Sequence, residues 1–145
     1  MVIQHSTFNI QHSQIMIGKT ITTILNSDAS ITADVADRIY PISSLAEGTP
    51  SIYYIIKFLQ GNVKNGLGNA EWEITIMTMC NDYDSAWDLS FRIKEAFEMK
   101  LSQMVGTVKI VNVKDVTIED EFEFNANETF GTLIKIRLKT NTLTA

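Results

Sequence analysis

"EWEITIMTMCNDYDSAWDLSFRIKEAF", residues 71–97, changes its apolar period halfway along, and that change decides the fold class. In the first ten residues Trp72, Ile74 and Ile76 fall on one side, while Glu71, Glu73, Thr75, Met77 and Met79 fall on the other. A period of two belongs to a pleated strand. From Tyr83 the spacing becomes three and four: Tyr83, Ala86, Trp87, Ser90, Ile93, Ala96, Phe97 and Leu101 form one stripe. That spacing predicts an amphipathic helix packed by its stripe onto a sheet. Asn81 or Asp82 caps such a helix, Asp82 and Asp84 suit the positive end of its dipole, and Lys100 sits near the negative end.

Upstream, "SIYYIIKFL" at 51–59 reads as a strand with Ile52, Tyr54, Ile56 and Phe58 on one face and Tyr53, Ile55 and Leu59 on the other. Both faces are apolar, so this strand is expected to be covered on both sides, by its own chain or by a partner. Both prolines of the chain precede it, and each pushes the residue before it toward extended backbone, so Tyr40 and Thr49 bracket a loop. "QGNVKNGLGNA", 60–70, reads as a long hairpin loop; its Gly-Leu-Gly joins two strands and opens no helix, so it is not a phosphate-binding fingerprint. At 11–27, Ile17, Ile21, Ile24 and Leu25 recur at helical spacing, and a polar passage, "DASITADVAD", follows.

Downstream the pattern is β. "GTVKIVNVKD" reads as one strand, with Val108 and Ile110 on one side, and "VTIEDEFEF" as another, with Thr117, Glu119, Glu121 and Glu123 opposite Ile118, Phe122 and Phe124. In "TLIKIRLKT", Lys135, Arg137 and Lys139 oppose Ile134, Ile136 and Leu138. A hairpin centred near Glu128 sets Glu121 against Lys135 and Glu119 against Arg137, pairs that act as register and solubility devices. Asp120 is then turned inward, a misfit that a bulge would resolve. The expected fold is α+β: an antiparallel four- to five-stranded sheet with two main helices packed on it. One domain over 1–145 is expected, with residues 1–10 as a candidate extended arm.

Composition limits the chemistry. A chain of 145 residues is long enough to bury a core without staples. Cys80, the single cysteine, reads as a small buried hydrophobe and makes no intramolecular bridge. The start, "MVIQHSTFNIQHS", has neither a basic head nor a continuous apolar core, so no secretory signal is expected, and the Asn127 glycosylation match then carries no chemistry. No stretch approaches the roughly 20 apolar residues of a membrane span. A net charge of -5 argues against phosphate binding as the main task. His5 and His12 lie outside any patterned element and beside no plausible nucleophile. The acids of "EDEFE" read first as a solvated, ion-paired face; a carboxylate hydrolase or a metal site there is the alternative. By elimination the chain reads as a binding or structural module, with no catalytic residue, cofactor or metal.

"DRIYP" at 37–41, a loop, a proline, "SIYYIIK", a second strand and a Tyr-led amphipathic helix together resemble the tail-terminator, or tail-completion, family of tailed bacteriophages. Residues 37–58 and 71–98 carry the resemblance, most specifically Arg38, Tyr40, Pro41, Pro50 and Tyr54. The N-terminal dozen residues depart from the family. The resemblance implies a virion protein of the tail or neck, assembled in the host bacterium's cytoplasm. Such a protein closes the head-proximal end of the tail tube, usually as a six-membered ring, and joins it to the head connector. DNA would pass through without specific binding, and no membrane is involved. A head-completion protein, a tail adaptor or an accessory domain of a phage-related contractile device are the neighbouring readings.

Under that resemblance Tyr53, Ile55, Met77 and Met79 are candidate subunit contacts, with cover by the N-terminal helix as the alternative. Arg38 and Tyr40 are candidates to fix the loop reaching the neighbour, with packing of Tyr40 in its own core as the alternative. Glu119, Glu121 and Glu123 are candidate channel-facing residues, because a negative wall repels passing phosphates.

Overall fold

The structure, a computed structural model, describes residues 15–41, 49–64, 67–121 and 130–142. Helix α1, described over 15–26, leads to α2 (Ala29–Val35) and a short strand β1 (Ile39–Pro41). Then come β2 (Ser51–Lys64), β3 (Leu67–Cys80), α3 (Tyr83–Glu98), β4 (Met104–Val105), β5 (Val108–Glu121) and β6 (Phe130–Thr142). They form one six-stranded sheet in the order β1-β2-β3-β6-β5-β4. The α+β class holds, while the strand count exceeds four to five because two short strands close the edges, and β1 runs parallel to β2, making the sheet mixed.

The alternation along β3 fixes the core. Trp72, Ile74, Ile76, Thr78 and Cys80 are buried, and register carries each row across the sheet: Tyr54, Ile76, Ile134 and Ile118 form one, and Ile56, Ile74 and Ile136 the next. Helix α3 packs on these rows with Ala86, Leu89, Ser90, Ile93, Ala96 and Phe97. Asp82 caps it, accepting from the Ser85 N–H at 2.9 Å and the Ser85 hydroxyl at 2.7 Å. Its last turn ends at Glu98, so Leu101, expected on the stripe, lies beyond the helix and is exposed. Ser90, Thr132 and Thr78 join their hydroxyls in one buried chain, and Ser90 donates to the Ala86 carbonyl, so these polar groups enter the core satisfied.

Helix α1 buries Ile17, Ile21, Ile24 and Leu25, as its spacing predicts. Thr20, Thr22 and Thr23 send their hydroxyls back to the carbonyls four residues earlier, which satisfies these hydroxyls within the helix. The passage read as merely polar holds α2: Asp28 accepts from the backbone N–H groups of Ser30 and Ile31, and Ile31 and Val35 are buried. Arg92 of α3 ties this helix down, pairing with Asp34 and donating to the Ser30 carbonyl at 2.7 Å.

Four β expectations are corrected. The stretch 60–70 is strand almost throughout, because β2 runs to Lys64 and β3 starts at Leu67. Asn-Gly at 65–66, the pair that two-residue hairpins favour, was the overlooked signal. The stretches read as two strands, 106–115 and 116–124, contribute to one continuous β5, with irregularities between Ile110 and Asn112 and between Lys114 and Thr117. The β5–β6 register also differs: Glu119 lies opposite Leu133, Glu121 opposite Gly131, and Lys135 opposite Thr117. Relative to the expected pairing this is a slip of four residues, an even number that keeps every side chain on its face. Alternation therefore could not detect it. Asp120 needs no bulge, for it accepts from the Trp87 indole at 2.8 Å and the Tyr83 hydroxyl at 3.3 Å.

Two glycines make opposite predictions. A Cβ at Gly18 in α1 would meet the Tyr54 hydroxyl at 3.5 Å, ordinary contact, whereas one at Gly61 would lie 2.4 Å from the Asn69 carbonyl oxygen. Gly18→Ala should stabilise the fold by about 0.5–1 kcal/mol through helix propensity. Gly61→Ala should destabilise it by about 1–3 kcal/mol through overpacking. Denaturant midpoints of the two variants check both signs. Burial, with Asp82 and Asp34 adding to it, pushes the Cys80 thiol up to about 11. A thiol reagent near neutral pH should label the native protein no faster than it unfolds.

Candidate functional site

All three helices share one side of the sheet. Gly18 of α1 lies against Tyr54 and Ile56, and α3 lies on the rows containing Ile76 and Ile134. The period-two alternation turns Tyr53, Ile55, Met77 and Met79 to the other side, where none of these helices lies. The described part of the N-terminal helix, 15–26, is thus not their cover. Register gathers them into one patch: Tyr40, Tyr53, Met77 and Leu133 form a continuous cross-strand row, with Ile55 and Met79 on the flanking rows. The Tyr40 and Tyr53 rings pack at 5.6 Å, and Ile55 remains 41% exposed. Leu133 joins this set although the sequence reading passed over it, since its alternation partners Lys135 and Arg137 marked that face as charged.

Arg38 makes its hydrogen bonds within its own chain. Its Nε donates to the Pro50 carbonyl at 2.7 Å and its terminal nitrogen to the Asp34 carbonyl at 3.0 Å, clamping the end of α2 to the start of β2. In this position it sets the parallel pairing of β1 that presents Tyr40 beside Tyr53.

The other half of this face is charged. The cations of β6 find their opposite-strand acids on β3, not β5: Glu71 is the Cα partner of Lys139 and Glu73 of Arg137. Glu71 is the centre of the cluster. It is nearly buried, accepts from the Gln60 amide at 2.7 Å, and has Lys114 at 3.4 Å and Arg137 at 3.7 Å. The Gln60 hydrogen bond, then these two cations, hold its carboxyl below the ordinary value in spite of desolvation. Arg137 also reaches Asp115, at the β5 irregularity, at 3.8 Å.

Glu119 is exposed on this same face, whereas Asp120 turns to the helices, so adjacent acids of β5 point in opposite directions. The side chains of Glu121 and Glu123, the histidines His5 and His12, and the candidate arm 1–10 lie outside what is described. Among the described residues, no three of His, Cys, Asp and Glu gather as a metal site, and no helix is long and apolar enough to cross a membrane.

No protein-family model and no curated protein matches the chain. Among solved structures it is similar to a chain from the virion of a native gene transfer agent (GTA) particle, at 11% identity and a TM-score of 0.57. The match covers 86% of this chain and 93% of that one. The likeness is one of fold, and it extends over nearly the whole of both chains.

The Glu71 cluster predicts an acid response. Because its folded pKa is lowered from 4.5, its contribution to stability is complete above that pH and is lost as pH falls through the lower folded value. Glu71→Gln should therefore be less stable than the parent at neutral pH, with the gap narrowing below pH 4.5. Unfolding curves of both proteins across that range measure it.

Proposed function

We propose that this chain is a structural virion protein, not an enzyme, and that it acts as a tail terminator. In this reading it caps the head-proximal end of a phage-type tail tube as a ring, six-membered in the particle, and joins the tube to the head connector. The observation that carries the reading is the fold likeness to a virion chain across 86% of this sequence. The Arg-aliphatic-Tyr-Pro motif at 38–41 and the order of elements behind it point the same way. An apolar patch on the sheet face that carries none of the described helices supplies the contact surface that a ring needs.

The residues follow from the reading. Tyr40, Tyr53, Ile55, Met77 and Met79 make subunit contacts, with Arg38 as the clamp that positions Tyr40. Glu119, Glu121 and Glu123 face the channel, so that DNA slides without sticking. The partners are further copies of this chain, the tube protein and the connector, and the place of action is the neck of the particle after assembly in the host cytoplasm.

Negative-stain imaging of the protein mixed with polymerised tube subunits from the same gene neighbourhood tests the role. Rings at one tube end and arrested growth are expected; tubes that grow on uncapped would move the protein to another neck position. Ile55→Glu should abolish capping while shifting stability by no more than about 0.5 kcal/mol, because that side chain is already partly in water. Wild-type capping by this variant, at unchanged stability, would remove Ile55 from the contact.

A further inference from the structure

The molecule is electrically two-sided. Among the residues whose side chains are described, the open sheet face carries Lys57, Lys109, Lys114, Lys135, Arg137 and Lys139, half of the 12 Lys and Arg in the chain, against Glu71, Glu73, Asp115 and Glu119. The helical layer, residues 15–38 and 82–100, holds eight carboxylates and five cations. Among these residues cations are in excess on the sheet face and carboxylates in the helical layer. Two open faces brought together would set cations against cations, and two helical layers acids against acids. Front to back, the charges match.

The shapes of the two patterns match as well. The outer stripe of α3 reads Asp84, Asp88, Phe91, Glu95 and Glu98, all exposed, with Phe91 at 51%. Trp87 stacks beside Phe91 at 5.8 Å and Tyr83 beside Trp87 at 6.4 Å, which stiffens the ridge. Arg92 and Lys94 pair along the helix with Asp88 and Glu98, and the stripe stays acidic at Asp84 and Glu95. The result is an aromatic anchor among carboxylates. The open face is the converse: an apolar patch whose Ile55 row continues through Thr75 to Lys135, with Lys57, Glu73 and Arg137 on the next row.

We propose that the outer stripe of α3 on one copy seats across the open sheet face of the next copy. Phe91 enters beside Ile55 and Met77, and Asp84 and Glu95 meet Lys57 and Lys135. The inference takes its occupant, a second copy of this chain, from the ring reading and adds which two surfaces meet. The contact is heterologous, one patch against a different patch, and its repetition generates a closed ring when the rotation closes.

Cys80 is buried and is the single cysteine, so an introduced cysteine reports alone. Ile55→Cys and Phe91→Cys proteins, each made separately and then mixed under mild oxidation, should form mainly the mixed cross-linked dimer. Its yield should fall several-fold at high salt. Lys135→Glu on the Ile55→Cys chain should lower it similarly, and Glu95→Lys on the Phe91→Cys chain should restore it. The cross-link is sought both in concentrated low-salt protein and on capped tube ends, with circular dichroism confirming that each variant is folded. Dominance of Ile55→Cys self-dimers, or absence of the mixed product in both settings, overturns the proposal. Capping without the mixed cross-link overturns this contact and leaves the terminator reading standing; the mixed cross-link without capping does the reverse.

Discussion

A strand that alternates strictly has two faces, and in β3 both of them are committed. Trp72, Ile74, Ile76 and Thr78 take the helix side, which forces Glu71, Glu73, Thr75, Met77 and Met79 to the other. β2 and β6 pair with β3 along nearly its whole length and inherit the same division. Once α1, α2 and α3 gather on the first face, none of the described helices lies on the second, where Ile55 is 41% exposed. Core packing, the surface patch and the charge polarity are three consequences of this pairing.

The core side is stabilised in the ordinary way, by rows of β-branched residues under two helices, with the Ser90, Thr132 and Thr78 hydroxyls hydrogen-bonded among themselves and Trp72 donating to Thr140 at 3.1 Å. The open side is organised differently. At one end Tyr40, Tyr53, Met77 and Leu133 make an apolar row; at the other Glu71 gathers Gln60, Lys114 and Arg137 around a carboxylate that is nearly dry. The desolvation of that carboxylate offsets part of the attraction it gains from Lys114 and Arg137.

Much of this was legible in the residues. Trp72 to Met79 announced a strand by alternation, and Tyr83 to Phe97 a helix by its stripe, because each pattern is local and long enough to be unambiguous. The apolar double face of "SIYYIIK" marked the residues that now line the open patch. What escaped was non-local. The four-residue slip between β5 and β6 preserves every face, so no alternation rule could see it. The true partners of the β6 cations sit on β3, some sixty residues earlier in the chain, beyond the reach of a hairpin argument. Leu133 was hidden by its charged alternation partners, and Asp120 by the distant Trp87 and Tyr83 that satisfy it.

The central claim is that the open sheet face becomes an interior surface of an assembled ring. A reconstruction of tube ends with this protein bound tests it most directly. The account predicts that the patch around Tyr53, Ile55 and Met77 is covered by the neighbouring subunit, with the outer stripe of α3 upon it. A ring in which that patch faces solvent, with the helical layers or the sheet edges making the subunit contacts, would contradict it.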